Sequence, residues 1–431
     1  MTSVDSPIKG TASKQRFFIA QSRVALDADA TTIVAGLENA GFQDESTVMT
    51  RPGLTLIGGA AILEQSTARP LDFARDLASR VVNFDEIDAG KVVFFALLPF
   101  DPTSSETCVV FPRFSIVVKD GSAAICTAHP EADGASSLLG EIGRTLAEIS
   151  DTDPRSLASQ GRRSTGASDL SLDFTESDSS WLDKAERVIE LIRAGTFEKV
   201  VLSRRASVEV AKPVDRLGAL GRLTRQYPGA LSFSFRHLLG ATPELLVRRS
   251  GRSLQSHPLA GTTAAGNEAA LLGSAKDNHE HRIVVDHIAS RFAPITERLE
   301  VAGAPEITSY GEICHLGTDI QGVLPASMTP SSLEVLLAIH PTPAVAGVPQ
   351  RDAIALLQSL EDQPRHFYSG AIGYETLDGD GEWHLVIRTV AITDCTVEFQ
   401  AGVGIVAESD AKTELLELGA KLSAMLPIVT A

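Results

Sequence analysis

Strand-forming runs in this chain tend to come in neighbouring pairs separated by tight turns, and that pattern limits the fold more than any other feature. Leu245–Arg249 and Ser253–Ser256 flank Ser250-Gly251, and Trp383–Ile392 and Cys395–Val406 flank Thr393-Asp394. A connection this short can only reverse the chain, whereas parallel strands need a crossover of roughly a dozen residues. Lys199–Ser203 and Leu231–Arg236 are further β runs, and regular βαβ alternation is missing. The expectation is an α+β fold with large antiparallel or mixed sheets flanked by helices, not a doubly wound one.

The chain divides by composition. Residues 1–15 are polar and read as a disordered N-terminus. Residues 16–150 hold short β runs at Arg16–Ala20, Thr55–Ile57, Lys91–Leu98 and Phe114–Val118, with a helical pattern at Ala68–Asn83. The unbroken apolar run from Val92 to Leu98 is the mark of a strand buried on both faces. No chemistry stands out in this half, which reads as scaffold. Residues 151–180 are rich in Asp, Ser, Gly and Arg and read as a linker or loop, with Ser180 placed to cap the next helix. Trp181, Ala185, Val188, Ile189 and Ile192 then fall at helical spacing. Residues 181–431, with a long helical region at Ala269–Leu299 and a closing helix at Asp410–Met425, form the half that carries candidate chemistry. The two halves are expected to intertwine as one domain.

Charge and cysteine use narrow the partners. There are 38 Lys+Arg against 55 Asp+Glu, for a net charge of −17. That is no nucleic-acid footprint. No window approaches the ~20 apolar residues of a membrane span, and Met1 to Arg23 lacks the pattern of a signal peptide. A cytoplasmic protein with no membrane or nucleic-acid partner is expected. Cys108, Cys126, Cys314 and Cys395 form no CxxC and match no zinc or redox spacing, as for small apolar residues in a reducing compartment. The oligomeric state is left open, with a monomer favoured.

Five sets of segments offer chemistry. In Phe197-Glu198-Lys199-Val200-Val201-Leu202-Ser203, Lys199, Val201 and Ser203 share one face of a strand. Lys199 is either an edge gatekeeper or a buried functional amine. An ordinary amine, with a pKa of ~10.4, is neutral only about once in 2500 at pH 7, a deficit of roughly 4.6 kcal/mol for a base. Burial that lowers the pKa by ~3 units would remove most of it. In Ala241-Thr242-Pro243-Glu244-Leu245, Glu244 is either a solvated strand end or a carboxyl kept protonated by apolar neighbours. In Asn278-His279-Glu280-His281, the zinc-protease spacing is not met, and Glu280 alone suits a hard cation such as Mg²⁺ or a solvated helix start. Gly402-Val403-Gly404 resembles a dinucleotide fingerprint, but too little chain follows for a nucleotide domain. Glycines there would instead let a ligand approach the backbone. Glu414, Glu417 and Lys421 beyond them lie on one helix face, where a plain Glu417–Lys421 surface pair is the alternative. Turn-rich segments around His315, His340–Gly347 and Phe367–Tyr374 are of a kind found in binding loops, or in structural turns.

Together and in this order, FEKVVLSR, ATPELLVR, HPLAGT, HEH, HPTPA, FYSGAIGY and GVGIVAESD resemble the chorismate-utilising enzymes: isochorismate synthases, salicylate synthases, anthranilate synthase large subunits and aminodeoxychorismate synthases. The resemblance covers Trp181 to Met425. It implies the anthranilate synthase component I type of fold, an active site between two large sheets, and Mg²⁺ as cofactor. It puts Lys199 at the base that activates water and Glu244 at the general acid. It puts Glu280 and Glu417 at metal ligands, with Glu414 acting through metal-bound water. Gly261, Thr262, Arg388, Gly402, Gly404 and Lys421 match substrate-holding positions, and His315 and Tyr368 line the pocket. Ala344 resembles isochorismate synthases, where salicylate synthases tend to carry Thr. One departure is visible: the segment between Gly266 and Lys276 looks shorter than in several relatives.

The implied reaction is Mg²⁺-dependent conversion of chorismate to isochorismate, by water addition at C2 and loss of the C4 hydroxyl. A salicylate synthase, which goes on to release pyruvate, is the nearest alternative. An anthranilate synthase large subunit fits less well with Lys199. A nucleotide-binding oxidoreductase and a non-catalytic chorismate binder stand further off. An acidic chain acting on an anion meets a charge problem, since two like charges ~4 Å apart repel by about 4 kcal/mol at an effective dielectric of 20. A bridging dication, with Arg388 and Lys421, would resolve it.

Overall fold

The structure is a computed structural model that describes residues 16–26, 28–42, 46–151 and 172–426. The expectations for residues 1–15 and for most of 151–180 fall outside the described residues.

Hairpins do dominate, and they assemble into two large antiparallel sheets. Among the described residues the larger sheet has twelve strands. Its first half runs Phe18–Ala25, Ser122–His129, Phe114–Lys119, Leu54–Gly58 and Thr47–Arg51. It continues through Leu231–Phe235, Leu238–Thr242, Thr389–Thr393, Thr396–Ile405 and Lys199–Glu209 to Gly347–Val348, with Asp173–Phe174 also on the Lys199 strand. The nine-stranded sheet runs Arg298–Val301, Ile320–Val323, Ser253–His257, Leu245–Ser250, Gly381–Leu385, Ala371–Thr376, Val93–Leu98, Cys108–Pro112, Ala61–Ser66. Leu259–Ala264, Ile313–Gly317 and Glu306–Tyr310 make a small third sheet. Segments from both halves of the chain pair directly, Thr47–Arg51 with Leu231–Phe235 and Val93–Leu98 with Ala371–Thr376.

The two large sheets pack face to face, with Met49, Phe233 and Phe235 of one against Phe95, Leu97 and Ile372 of the other. Helices cover the outer faces. Ala30–Asn39, Ala132–Asp151, Asp178–Arg193, Arg216–Gln226, Gln350–Leu360 and Ala411–Ser423 pack on the larger sheet. Pro70–Arg80, Ala275–Phe292 and Ser332–Ile339 pack on the smaller. This layering explains the apolar run at Val92–Leu98: Val93, Phe95 and Leu97 face the inter-sheet core while Phe94, Ala96 and Leu98 face the helices. Burying a side chain such as Phe95 stabilises the fold by roughly 2–3 kcal/mol.

Three local expectations are corrected. The cap of the helix Asp178–Arg193 is Ser177, whose hydroxyl accepts from Ser180 N–H, because Ser177 is the serine with extended backbone. The run Ala269–Leu299 is not one helix: Glu268–Gly273 ends at Ser274, which caps Ala275–Phe292, and the chain then turns into the strand Arg298–Val301. Trp383–Ile392 is two strands in two different sheets, Gly381–Leu385 and Thr389–Thr393. No helix among the described residues is long and apolar enough to cross a membrane. Cys108, Cys126 and Cys314 are buried, and Cys395 is half-buried.

Candidate active site

The split in Trp383–Ile392 marks the site. Pro243-Glu244 is the step from Leu238–Thr242 in the larger sheet to Leu245–Ser250 in the smaller, and Val386-Ile387-Arg388 makes the reverse crossing. The two crossings are tied together: Leu385 N–H donates to Glu244 O at 3.1 Å, and Ala241 N–H donates to Arg388 O at 3.2 Å. Arg388 takes a left-handed backbone, φ 52°, which is strained for a residue with a Cβ and turns its side chain out of strand alternation. A cleft opens here, with about 770 Å³ of empty space when the solvent at its mouth is included. Glu244, Gly261, Thr262, Glu280, His315, Ala344, Tyr368, Arg388, Gly402, Gly404 and Lys421 all line it. Lys199 and Glu417 do not line it but pair with Glu280 and Lys421, which do, and Glu414 lies outside the lining.

Lys199 is not an edge gatekeeper. Its strand is flanked by Thr396–Ile405 on one side and Gly347–Val348 on the other, and it is 0% exposed. Its Nζ lies 3.0 Å from Glu280 Oε1, an ion pair without the alignment of a hydrogen bond. The strand Thr396–Ile405 makes room for this pair. A Cβ on Gly404 would run into Glu280 Oε1 and sit 2.9 Å from Lys199 Cε, and one on Gly402 would sit 3.1 Å from Tyr368 Oη. Both glycines are inside a strand of the larger sheet, not at a strand-to-helix turn, so the dinucleotide reading fails. Gly261 sits at a bulge in the third sheet with φ 71°, the conformation glycine adopts most cheaply.

Glu244 is 2% exposed, and its Oε1 has no hydrogen-bond partner. Burial pushes its pKa up to about 8, against the opposing pull of the Leu259 amide and the charge of Lys199. At neutral pH it is a protonated carboxylic acid, able to donate.

His315 links the substrate-side groups. Its Nδ1 is 3.2 Å from both Gly261 O and Thr262 Oγ1, and its Nε2 is 3.3 Å from Arg388 Nη2. Burial, with Arg388 and Lys421 nearby, holds its pKa well below the usual range. A guanidinium only donates, so the neutral ring accepts at Nε2 and carries its proton on Nδ1 toward Gly261 O. Lys421 Nζ donates to Gly402 O at 3.1 Å and pairs with Glu417 at 2.6 Å, so it both lines the cleft and makes the i,i+4 pair.

The three carboxylates expected at a metal do not stand as a preassembled centre. Among the described residues no three acidic, His or Cys side chains are grouped closely enough to hold an ion. Each glutamate has its own lysine: Glu280 with Lys199, Glu417 with Lys421, and Glu414 with Lys276 at 2.5 Å. Lys276 nonetheless senses all three. Burial works to lower its pKa, yet Glu414, then Glu280 and Glu417, raise it on balance. Burial and the neighbouring Glu417 push Glu414 upward, against Lys276. This is an all-oxygen donor set already bearing on one cation, which suits a hard dication. His281 takes no part. It hydrogen-bonds Thr318 Oγ1 at 2.6 Å, and burial lowers its pKa to about 4.

Sequence reasoning missed Lys276, Gln400 and Thr389, the last two of which line the cleft. Gln400 was within reach: Gln400, Gly402 and Gly404 alternate with Phe399, Ala401 and Val403, which enter the core.

Residues 60–430 match the family described as chorismate binding enzyme. The isochorismate synthase DhbC of Bacillus subtilis is 35% identical over 260 residues, 56% of this chain and 65% of that protein, so the chain spans just under two thirds of that relative. Two solved structures share the fold. MenF, the menaquinone-specific isochorismate synthase from Escherichia coli, has a TM-score of 0.74 at 22% identity, over 96% of this chain and 95% of that one. Anthranilate synthase component I from Streptococcus pneumoniae has a TM-score of 0.68 at 20% identity, over 99% and 95%. The match extends through both sheets and across every wall of the cleft built from Glu244 to Lys421, and the chain belongs to the chorismate-binding enzyme family.

Proposed function

We infer that this chain is an isochorismate synthase, converting chorismate to isochorismate with Mg²⁺ as cofactor. One observation carries the reading: a carboxyl held protonated at neutral pH, Glu244, lines the same cleft as Glu280, which pairs with a fully buried amine, Lys199. An acid and a base separated in this way suit a reaction that adds water at one ring carbon and expels hydroxide from another.

Lys199 accepts a proton from water as its oxygen bonds to C2. The ring double bonds shift, the C4–O bond breaks, and Glu244 gives its proton to the departing oxygen, so that water enters and water leaves. Arg388 and Lys421 are cations at the cleft suited to the substrate carboxylates, and neutral His315 holds the Arg388 guanidinium in place. Glu280 Oε1 stands 3.0 Å from the Lys199 amine, and the base role requires Glu280 to turn to another cation. Glu280, Glu414 and Glu417 are the side chains that would hold Mg²⁺, which when bound supplies charge neutralisation for the ring carboxylate. Ala344 at the cleft wall leaves the hydroxyl of the salicylate synthases missing.

The test is chromatographic analysis of chorismate incubated with the protein and MgCl₂, with pyruvate followed through lactate dehydrogenase. Isochorismate without pyruvate is expected. Unchanged chorismate refutes the reading, and stoichiometric pyruvate makes the chain a salicylate synthase.

A further inference from the structure

Among the described residues, the middle of the strand that begins with Lys199 has no paired strand on one side. Gly347–Val348 pairs with it only at Lys199–Val200, the last rung being Val201 N–H to Ala346 O at 2.8 Å, and Asp173–Phe174 pairs again only at Ala206–Ser207. Between these two short partners, buried backbone groups of Val201 and Ser203 need hydrogen bonds that no strand among the described residues supplies.

Arg365 and Glu361 supply them. Arg365 Nη2 donates to Val201 O at 2.6 Å, and Ser203 N–H donates to Glu361 Oε1 at 3.0 Å. The pair is bidentate, Nε to Oε2 at 2.7 Å and Nη2 to Oε1 at 2.5 Å, and Arg365 is buried under the Phe100 ring. It reaches two more walls of the cleft. Arg365 Nη1 donates to Val345 O at 2.7 Å, beside Ala344, and the Ser203 hydroxyl, held by Glu361 at 2.8 Å, accepts from Gln400 Nε2 at 2.9 Å. A buried ion pair contributes little net stability because desolvation offsets its attraction, but it fixes geometry.

We propose that Arg365 and Glu361 are positioning residues that take the place of a missing strand and thereby fix Lys199, the Ala344 loop and Gln400 relative to one another around the cleft. This rests on the reading of the cleft as an isochorismate synthase site. Neither residue lines that cleft, so their effect passes through the backbone. Lysine at position 365 keeps the charge but cannot span Glu361 and two carbonyls at once, since it lacks the planar fork.

The experiment compares R365K and E361Q with the wild type, by steady-state kinetics on chorismate with Mg²⁺ and by hydrogen exchange without substrate. A misplacement near 1 Å costs about a hundredfold. R365K is expected to lower kcat by about ten- to a hundredfold with KM changed less than about threefold. Exchange should accelerate at residues 199–205 and 342–348 and stay unchanged at 231–242. E361Q, the closer isostere, should show the same pattern more weakly, and it decides the matter if R365K does not fold. Wild-type kcat in both variants overturns the proposal. So does faster exchange across the whole larger sheet, which would mark a merely structural pair. A wild-type protein that makes no isochorismate refutes the functional reading, while the exchange pattern still decides on the pair.

Discussion

Replacing Glu244 with Gln separates the acid's chemistry from its energetic cost. Burial raises this carboxyl from 4.5 to about 8. A folded-state pKa above the unfolded value means that ionisation is resisted by the fold, so the wild type carries no penalty below about pH 4.5 and accumulates one as pH rises toward 8. A shift of this size is worth on the order of 5 kcal/mol in full, and about 3 kcal/mol at pH 7, where folded Glu244 must keep a proton the unfolded chain releases. Gln has the same shape and no ionisation. It brings a pH-independent change of about 1–3 kcal/mol for its own partly unsatisfied amide. The stability difference between E244Q and wild type should therefore move in favour of the variant by about 1.4 kcal/mol per pH unit between pH 5 and 8, then level off. For a chain of 431 residues the unfolding entropy is about 0.9 kcal/mol per kelvin, so the full effect is about 5 °C in Tm. The assay is thermal unfolding of both proteins from pH 5 to 9, with chorismate turnover measured in parallel. E244Q should lose at least about a hundredfold in kcat, and wild-type kcat should fall as pH rises through about 8. A Tm difference that does not change with pH, or an active E244Q, refutes the assignment of Glu244 as a protonated acid.

Three further substitutions probe the rest of the site. K199Q should abolish water addition while circular dichroism stays that of the wild type, since an amide can still bond Glu280; undiminished turnover removes the base assignment. E280Q should raise the Mg²⁺ concentration needed for half-maximal activity by about tenfold or more, as loss of a charged ligand does, and an unchanged Mg²⁺ titration contradicts its role. G404A should cut kcat by at least about tenfold, because its Cβ collides with Glu280 Oε1 and crowds Lys199 Cε. Wild-type kcat for G404A would mean that the Lys199–Glu280 arrangement is not the one used in turnover.

The parts of the site legible in the sequence are those whose chemistry contradicts their surroundings. Lys199 stands among Val200, Val201 and Leu202, and Glu244 stands between Pro243 and Leu245. Neither is an economical choice for a strand end, and both prove nearly or wholly buried. What stayed hidden depends on distance along the chain. Trp383–Ile392 reads as one strand because Val386 and Ile387 are as β-prone as their neighbours. Only the presence of two sheets explains the crossing at Arg388. The Lys276–Glu414 pair joins residues 138 positions apart, and Arg365 reaches Val201 across 164. The pairing of Thr47–Arg51 with Leu231–Phe235 is likewise non-local. Periodicity reports which face of an element is apolar, and it carries no information about which element lies opposite.

The charge problem posed by an acidic chain and an anionic substrate has an answer in the burial of Glu244. Lys199, Lys276, Arg388 and Lys421 surround the cleft together with Glu280, Glu414 and Glu417. With Lys199 acting as the neutral base, Lys276, Arg388 and Lys421 offset the three carboxylates, and a fourth ionised carboxylate would leave the site with a net negative charge. At ~4 Å and an effective dielectric of 20 that carboxylate alone would repel a substrate charge by about 4 kcal/mol, close to a thousandfold in binding. The desolvation that keeps Glu244 protonated removes this repulsion and at the same time equips it to donate to a leaving oxygen. Acid function and anion tolerance thus come from one cause, and both should fail together as pH rises through about 8. KM for chorismate should rise over the same pH interval in which kcat falls. A KM that holds constant through that interval while kcat drops would show that Glu244 acts on the chemical step alone.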